Sequence, residues 1–104
     1  MFGQDTEQKH IFEIVSRPVI KNVLQGFNGT VFAYGQTGSG KTFTMEGPNL
    51  HDETIKGIIP RTMDDIFENI YDADEKIEFV IQVSMMEIYN EKIQCLLDGK
   101  SFIF

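Results

Sequence analysis

The sequence has little cysteine and little histidine, which limits the chemistry that it can perform. A single cysteine among 104 residues cannot form an intramolecular disulfide, and this fits a reducing compartment. Cys95 has only Lys92 as a basic neighbour, so we expect it to fill space as a small apolar side chain rather than act as a nucleophile. His51 and the one other histidine are too isolated for a metal site or a catalytic triad.

Basic residues are also scarce. Nine Lys and Arg stand against sixteen Asp and Glu, which gives a net charge of −7. The basic residues are scattered between Lys9 and Lys100 and form no run. Nucleic-acid binding depends on clustered Lys and Arg, so no nucleic-acid partner is expected.

Long apolar runs are missing as well. No stretch approaches the roughly 20 residues that a membrane-spanning helix needs, and no signal peptide is visible. With 41 % hydrophobic and 12 % aromatic residues, the composition suits one globular domain at most. We therefore expect a cytoplasmic protein without a membrane partner.

The most specific feature present is a glycine-rich segment that matches the phosphate-loop pattern G-x-x-x-x-G-K-[ST] without a mismatch. Its glycines lack a Cβ, so the backbone can curl around phosphates and turn its amides inward as an anion nest. The Lys41 ammonium would reach the β- and γ-phosphates, and the Thr42 hydroxyl would ligate Mg²⁺. The predicted nucleotide-binding residues are Gly35, Gln36, Thr37, Gly38, Ser39, Gly40, Lys41 and Thr42.

The sequence on both sides of this loop supports the match. Residues Thr30–Tyr34 are mostly β-branched and aromatic, which predicts a buried strand directly before the loop. Residues Lys41–Glu46 contain no helix breaker and predict a helix whose N-terminal partial charge would face the phosphates. The alternative is a flexible Gly/Ser connector, and the Lys-Thr pair between a strand and a helix argues against it.

A family resemblance rests on these same residues and on two further blocks. The stretch FNGTVFAYGQTGSGKTFTM at 27–45 resembles the nucleotide loop of kinesin motor domains far more specifically than a generic phosphate loop does. The blocks GIIPR at 57–61 and VSMMEIYNEKI at 83–93 resemble kinesin segments too. The segment 1–17 is similar to the one that leads into the family's first helix. Cys95 departs from the family, which usually has Asp at this position.

The resemblance predicts both domain limits and function. It runs from Phe2 to Asp98, so we expect a partial motor domain over 2–98 and an unmatched tail over 99–104. It implies an α/β fold of the P-loop NTPase type, whose mixed sheet flanked by helices is only partly present in this chain. It further implies that ATP and Mg²⁺ are the ligands and that Phe43 lies against the base or sugar. The complete domain would hydrolyse ATP while moving along microtubules of the cytoskeleton.

Several kinesin segments have no counterpart in the sequence. These are the two switches, N-x-x-S-S-R-S-H and D-L-A-G-S-E, and the R-x-R-P strand under the adenine. We therefore assign no catalytic residue and expect the isolated chain to be inactive. We also expect weak or absent microtubule binding, because tubulin is acidic like this chain. Residues 99–104 lead to the further expectation that the chain is a truncated gene model or transcript that reads into an intron.

Hydrophobic spacing predicts the other elements. A first helix, capped by Asp5 with Gln8 as its capping-box partner and bent at Pro18, would turn one apolar face to a core. That face comprises Ile11, Ile14, Val15, Val19, Val23 and Leu24. The remaining predictions are a solvated loop over 47–57, a helix from Pro60 to near Asp72, a long strand over Glu78–Tyr89 and a helical turn over Glu91–Leu97.

Two other functions stay open at the level of sequence. A small phosphoryl-transfer enzyme, such as a nucleoside kinase, would need several arginines around its acceptor, and the chain has only Arg17 and Arg61. A non-catalytic interaction protein that retains the loop is compatible with the missing switches.

Overall fold

A computed structural model describes residues 2–97 and the backbone of residues 101–102. The chain divides into two compact units, with the boundary between residues 73 and 74. The first unit contains the helices: α1 (Gln8–Ile11), a π-helical turn (Phe12–Ser16), α2 (Arg17–Leu24), α3 (Lys41–Met45) and α4 (Ile58–Tyr71). The second contains the strands: β1 (Met86–Tyr89), β2 (Lys92–Cys95) and β3 (Ser101–Phe102). Most of the predicted tail lies outside the described residues.

The first three helical segments form one continuous helix that widens before Pro18. Proline has no N–H to donate, and in a regular α-helix its ring would clash with the carbonyl four residues earlier, which is that of Ile14. The π-helical turn lies at that position and relieves this conflict, because its hydrogen bonds span five residues instead of four. The predicted helix is confirmed, but the predicted Asp5 cap is wrong. The helix begins at Gln8 after an extended Glu7, and no side chain caps it.

One line of residues, spaced four apart, is buried along this helix. The buried positions are Gln8, Phe12, Ser16 and Ile20, and the π-helical turn and α2 both contact α4. The predicted apolar face is only partly covered, since Ile14, Val15, Val23 and Leu24 are exposed. Those side chains were expected to face a core, and the first unit has no strand among its described residues to cover them.

The predicted helix from Pro60 to near Asp72 is confirmed as α4, which begins two residues earlier, at Ile58. Gly57 precedes it in an extended conformation, and Asp72 follows its last residue. Pro60 is the third helical residue rather than the first, a position where the missing N–H still costs no intrahelical bond. Ile58 and Arg61 are its buried residues.

The strand predictions fail more often than the helix predictions. Residues 30–34 form no hydrogen-bonded strand, and of the long strand predicted over 78–89 only Met86–Tyr89 is present. A β-strand is defined by pairing with a neighbour, and neither segment has a described partner along its whole length. The helical turn predicted over 91–97 is also wrong, because Lys92–Cys95 forms β2.

The second unit is an antiparallel sheet in the order β1-β2-β3. Met86 pairs with Cys95, Tyr89 pairs with Lys92, and Ile93 pairs with Phe102. The β1–β2 turn consists of Asn90 and Glu91, whose φ angles are 48° and 62°. Two positive φ values in a two-residue turn are typical of type I′, whose preferred sequence is Asn-Gly.

We predict that Glu91→Gly stabilises the hairpin by about 0.5–1 kcal/mol, because glycine adopts a positive φ without the steric cost that a Cβ brings. The measurement is hydrogen exchange of the β1 and β2 amides, which should slow by roughly two- to fivefold. Gln94→Gly, which puts the same residue inside β2, is the control and should speed exchange. Faster exchange in Glu91→Gly would contradict the turn assignment.

Candidate functional site

The predicted phosphate loop leads directly into α3. Gly38 and Gly40 have φ angles of 80° and 102°, which side chains with a Cβ resist. The Ser39 amide donates to the Gln36 carbonyl at 3.1 Å and closes a tight turn. At Gly35 an added Cβ would lie 2.4 Å from Ser39 Oγ, so a larger residue there would require the Ser39 side chain to move. The loop is therefore curled and compact, as its glycines predict.

Lys41 folds back over the loop that precedes it. Its Nζ donates a hydrogen bond to the carbonyl of Gly35, across the full length of the motif. This places the ammonium group beside the curled backbone, half-buried, while Thr42 and Phe43 are exposed. A neutral carbonyl is a weaker partner for an ammonium group than an anionic oxygen, so a phosphate could replace it.

Four of the predicted residues thus have defined hydrogen-bond partners in a common cradle. Gly35 and Lys41 are hydrogen-bonded, and Gln36 and Ser39 close the turn. Thr37 is exposed at its outside. The hydroxyl of Thr42 lies one residue after Lys41 and is open to solvent, which suits a hard oxygen ligand for Mg²⁺.

Helix α3 is held at its C-terminal end by partners from outside the helix. The carbonyl of Thr42 accepts from the amides of Glu46 and Gly47, at 2.8 Å and 3.1 Å. The carbonyl of Glu46 accepts from the Gly57 amide at 2.9 Å, and the carbonyl of Phe43 accepts from the side chain of Gln8. The sequence predicted Gln8 as the capping-box partner of Asp5, which is wrong, since its side chain donates to the Phe43 carbonyl instead. The phosphate-loop motif contains no signal for this bond.

The loop over 47–57 has an exposed outer part and a buried end. Asp52 Oδ1 accepts from the Thr54 amide at 2.9 Å and from the Thr54 hydroxyl at 2.6 Å. These bonds, the hydroxyl first, lower the pKa of the Asp52 carboxyl. His51 is exposed, and its amide donates to Asn49 Oδ1 at 3.0 Å. The prediction of a solvated loop is confirmed for this outer part.

The buried end of the loop is fastened to α4 by ion pairs and by an arginine. Lys56 Nζ lies 2.7 Å from Glu53 Oε1 and 2.5 Å from Asp64 Oδ2. Hydrogen bonds to Asp64 and then to Glu53 raise the pKa of Lys56. Arg61 donates from Nε to the Lys56 carbonyl at 3.0 Å and from its guanidinium group to the Glu53 carbonyl at 2.7 Å. The prediction of a solvated loop is therefore wrong at Lys56 and Gly57, which are buried.

A cleft of about 220 Å³ opens beside this network. Its walls are mostly charged, with Lys9, Glu13 and Glu68 among them. Arg17 crosses one wall, 3.1 Å from Glu13 and 3.7 Å from Asp65, and stacks over the Phe12 ring at 5.4 Å. Acidic and basic groups pair with each other here. These ion pairs connect the first helix to α4, and the cleft does not present charge of a single sign.

Over residues 2–97 no cluster of His, Cys, Asp and Glu is arranged to hold a metal ion. None of the helices in that range has the length and apolar character needed to cross a membrane.

We predict that Lys56→Met destabilises the first unit by about 1 kcal/mol at neutral pH, since the ion-pair partners are exposed. The pKa of Lys56 is raised on folding, so its contribution is complete below the ordinary lysine pKa of 10.5 and is lost as pH rises through the folded-state value. Urea unfolding at several pH values should therefore show the difference between wild type and variant shrinking above about pH 10. Lys21→Met, at an exposed lysine of α2, is the control and should show no such difference; a pH-independent Lys56→Met effect would contradict the ion-pair account.

Comparison with known proteins identifies the family. The family model of the kinesin motor domain matches residues 1–102 and so covers part of the predicted tail. The kinesin heavy chain of Syncephalastrum racemosum is 50 % identical over 101 residues, which is 97 % of this chain and 11 % of the relative. The human kinesin-1 heavy chain is 53 % identical over 98 residues, which is 94 % of this chain and 10 % of the relative.

Similarity to a solved structure supports the same family. The structure of a fast kinesin, described with implications for its ATPase mechanism and interactions with microtubules, superposes with a TM-score of 0.89 at 44 % identity. The match covers 94 % of this chain and 28 % of that one, and the chain spans about a tenth of the curated relatives. The α/β fold class is therefore confirmed as a partial one, and the chain belongs to the kinesin motor domain family.

Proposed function

We propose that this chain is the ATP-binding portion of a microtubule motor, whose complete domain couples ATP hydrolysis to movement. The observation that carries the proposal is the position of Lys41. Its ammonium group bends back over a complete phosphate loop to the Gly35 carbonyl, in a chain of the kinesin motor domain family. A triphosphate would replace that carbonyl with anionic oxygens, which bind an ammonium group more strongly.

Each residue of the loop has a role in this proposal. The backbone amides between Gly38 and Thr42 form the anion nest, and Lys41 binds the β- and γ-phosphates. The exposed Thr42 hydroxyl would hold Mg²⁺, which would neutralise charge on the phosphates. Phe43 is exposed next to them and can lie against the base or sugar.

Phosphoryl transfer to water needs more than this cradle. The groups that position the attacking water in such enzymes lie outside the phosphate loop, and neither kinesin switch motif occurs in the sequence. We therefore assign binding and orientation of the nucleotide to this chain and no catalytic residue. Microtubules, and hence the cytoskeleton in the cytoplasm, are the proposed partner and location of the complete domain. A net charge of −7 disfavours strong binding of this chain alone to an acidic track.

The positions of the arginines disfavour a small phosphoryl-transfer enzyme. Arg17 pairs with Glu13 and Asp65, and Arg61 is buried against backbone carbonyls. Both guanidinium groups already have partners within the chain, and the chain has no other arginine.

We predict that Lys41→Ala weakens MgATP binding by about ten- to a hundredfold, because it removes a charge-assisted hydrogen bond of about 1.5–3 kcal/mol. The measurement is isothermal titration calorimetry of MgATP into each protein. The control is Lys21→Ala, which makes the same change in net charge at an exposed residue of α2 and should bind as wild type does. Equal affinities for wild type and Lys41→Ala would remove the phosphate-loop assignment.

We also predict that microtubules do not stimulate ATP hydrolysis by the isolated chain, since it lacks both switch motifs. A steady-state phosphate-release assay across a range of tubulin concentrations tests this. Co-sedimentation with the same microtubules separates a chain that binds without hydrolysis from one that does not bind. Stimulated phosphate release would show that water can be positioned without the switches, contrary to the proposal.

A further inference from the structure

Gln8 is a buried polar residue that the nucleotide motif does not account for. It lies in the first turn of α1 and is only 5 % exposed. Its Nε2 donates to the carbonyl of Phe43, which is 35 positions away in the sequence, and to the carbonyl of Ile55 at 3.3 Å. Both amide protons of this side chain are therefore used, each on a different segment.

The bond from Gln8 gives the Phe43 carbonyl a hydrogen-bond donor that α3 itself does not provide. Helix α3 has five residues, far fewer than the roughly 12–15 that an isolated helix needs to be stable in water. The last four carbonyls of any helix have no intrahelical partner. In α3 the Glu46 and Gly47 amides both go to the Thr42 carbonyl, so the Phe43 carbonyl depends on Gln8.

The bond to Ile55 links the same side chain to the loop over 47–57. Ile55 directly precedes Lys56, which is fixed by Glu53 and Asp64. Gly57 then returns to α3 through the Glu46 carbonyl. An added Cβ at Gly57 would lie 2.6 Å from the Met45 backbone, so the loop end and α3 are in close contact. Gln8 thus lies between two backbone segments that already touch each other.

We propose that Gln8 is a positioning residue for the nucleotide site, an inference that rests on the proposed function. Lys41 and Thr42 occupy the first turn of α3, and Gln8 holds the next residue along by its carbonyl. Without that bond the short helix can tilt relative to the phosphate loop, which moves the Lys41 ammonium group and the Thr42 hydroxyl away from the phosphates. Gln8 does not touch the nucleotide; it acts through α3.

The chemistry around Gln8 distinguishes a role as a hydrogen-bond donor from a role in packing alone. Both partners of Gln8 are carbonyl oxygens, so the side chain at this position must donate. Leucine fills a similar volume but donates nothing. Glutamate has the same shape, but its carboxylate is an acceptor and would face two other acceptors. A role in packing alone would tolerate both replacements better than a role as a double donor.

The experiment compares wild type, Gln8→Leu, Gln8→Glu and the control Gln4→Leu, which changes an exposed glutamine in the preceding turn. Titration calorimetry with MgATP gives the affinity. Hydrogen exchange gives the protection of the Thr44 and Glu46 amides in α3, with the α4 amides as a reference for the fold. We expect both Gln8 variants to bind MgATP about tenfold more weakly and to lose protection in α3 but not in α4. Gln4→Leu should match wild type.

The two readouts separate failure of this inference from failure of the proposed function. A wild-type chain that does not bind MgATP overturns the proposed function. If wild type binds and both Gln8 variants bind within twofold of it, the inference alone is overturned. Loss of α4 protection in both variants also overturns it, because Gln8 would then hold the whole unit together rather than position α3.

Discussion

The region around the phosphate loop depends on how the backbone groups of one short helix are satisfied. Helix α3 is too short to persist alone, yet it carries Lys41 and Thr42. The Phe43 carbonyl of α3 accepts from Gln8, and the Glu46 carbonyl directly after the helix accepts from Gly57. These two donors lie on opposite sides of α3 in the sequence. A local motif therefore acquires its geometry from residues that the motif does not include.

This dependence on partners distant in the sequence also explains which elements of the fold the sequence could predict. The phosphate loop, the helix after it and α4 follow from local signals: glycine spacing, absence of breakers and a 3.6-residue apolar repeat. The strands predicted at 30–34 and over 78–85 are not formed. β-Branched content or alternation marks a segment that is able to form a strand, whereas hydrogen bonds to a neighbouring strand create one. The turn at Asn90 and Glu91 was also missed, since only one of its two residues tolerates positive φ readily.

Within the candidate site, too, the sequence could not predict residues whose partners are distant along the chain. The eight motif residues could be placed because the pattern itself encodes a curled backbone and a lysine. Gln8, Lys56 and Arg61 could not, since each acts on a backbone or side-chain group brought near by folding. Lys56 and Arg61 are also charged residues, whose burial becomes understandable only when their partners are known.

Exposed apolar side chains fit a chain that aligns with 28 % of a related solved structure. In the first unit Phe32 and Tyr34 are 81 % and 95 % exposed, next to the phosphate loop. In the second unit Val80 and Val83 are also exposed. Apolar residues on a predicted strand that find no partner are a source of association between chains.

The π-helical turn before Pro18 also sets the rotational phase of the first helix. A regular α-helix turns about 100° per residue, so positions four apart drift by about 40° at each step. The four buried positions from Gln8 to Ile20 nevertheless all face inward, and the wider turn between them offsets part of that drift. Deleting a single residue from Phe12–Ser16 would rotate Gln8 by about 100° relative to Ile20. The number of residues between Gln8 and Pro18 therefore determines the direction in which the Gln8 side-chain amide points from the helix axis.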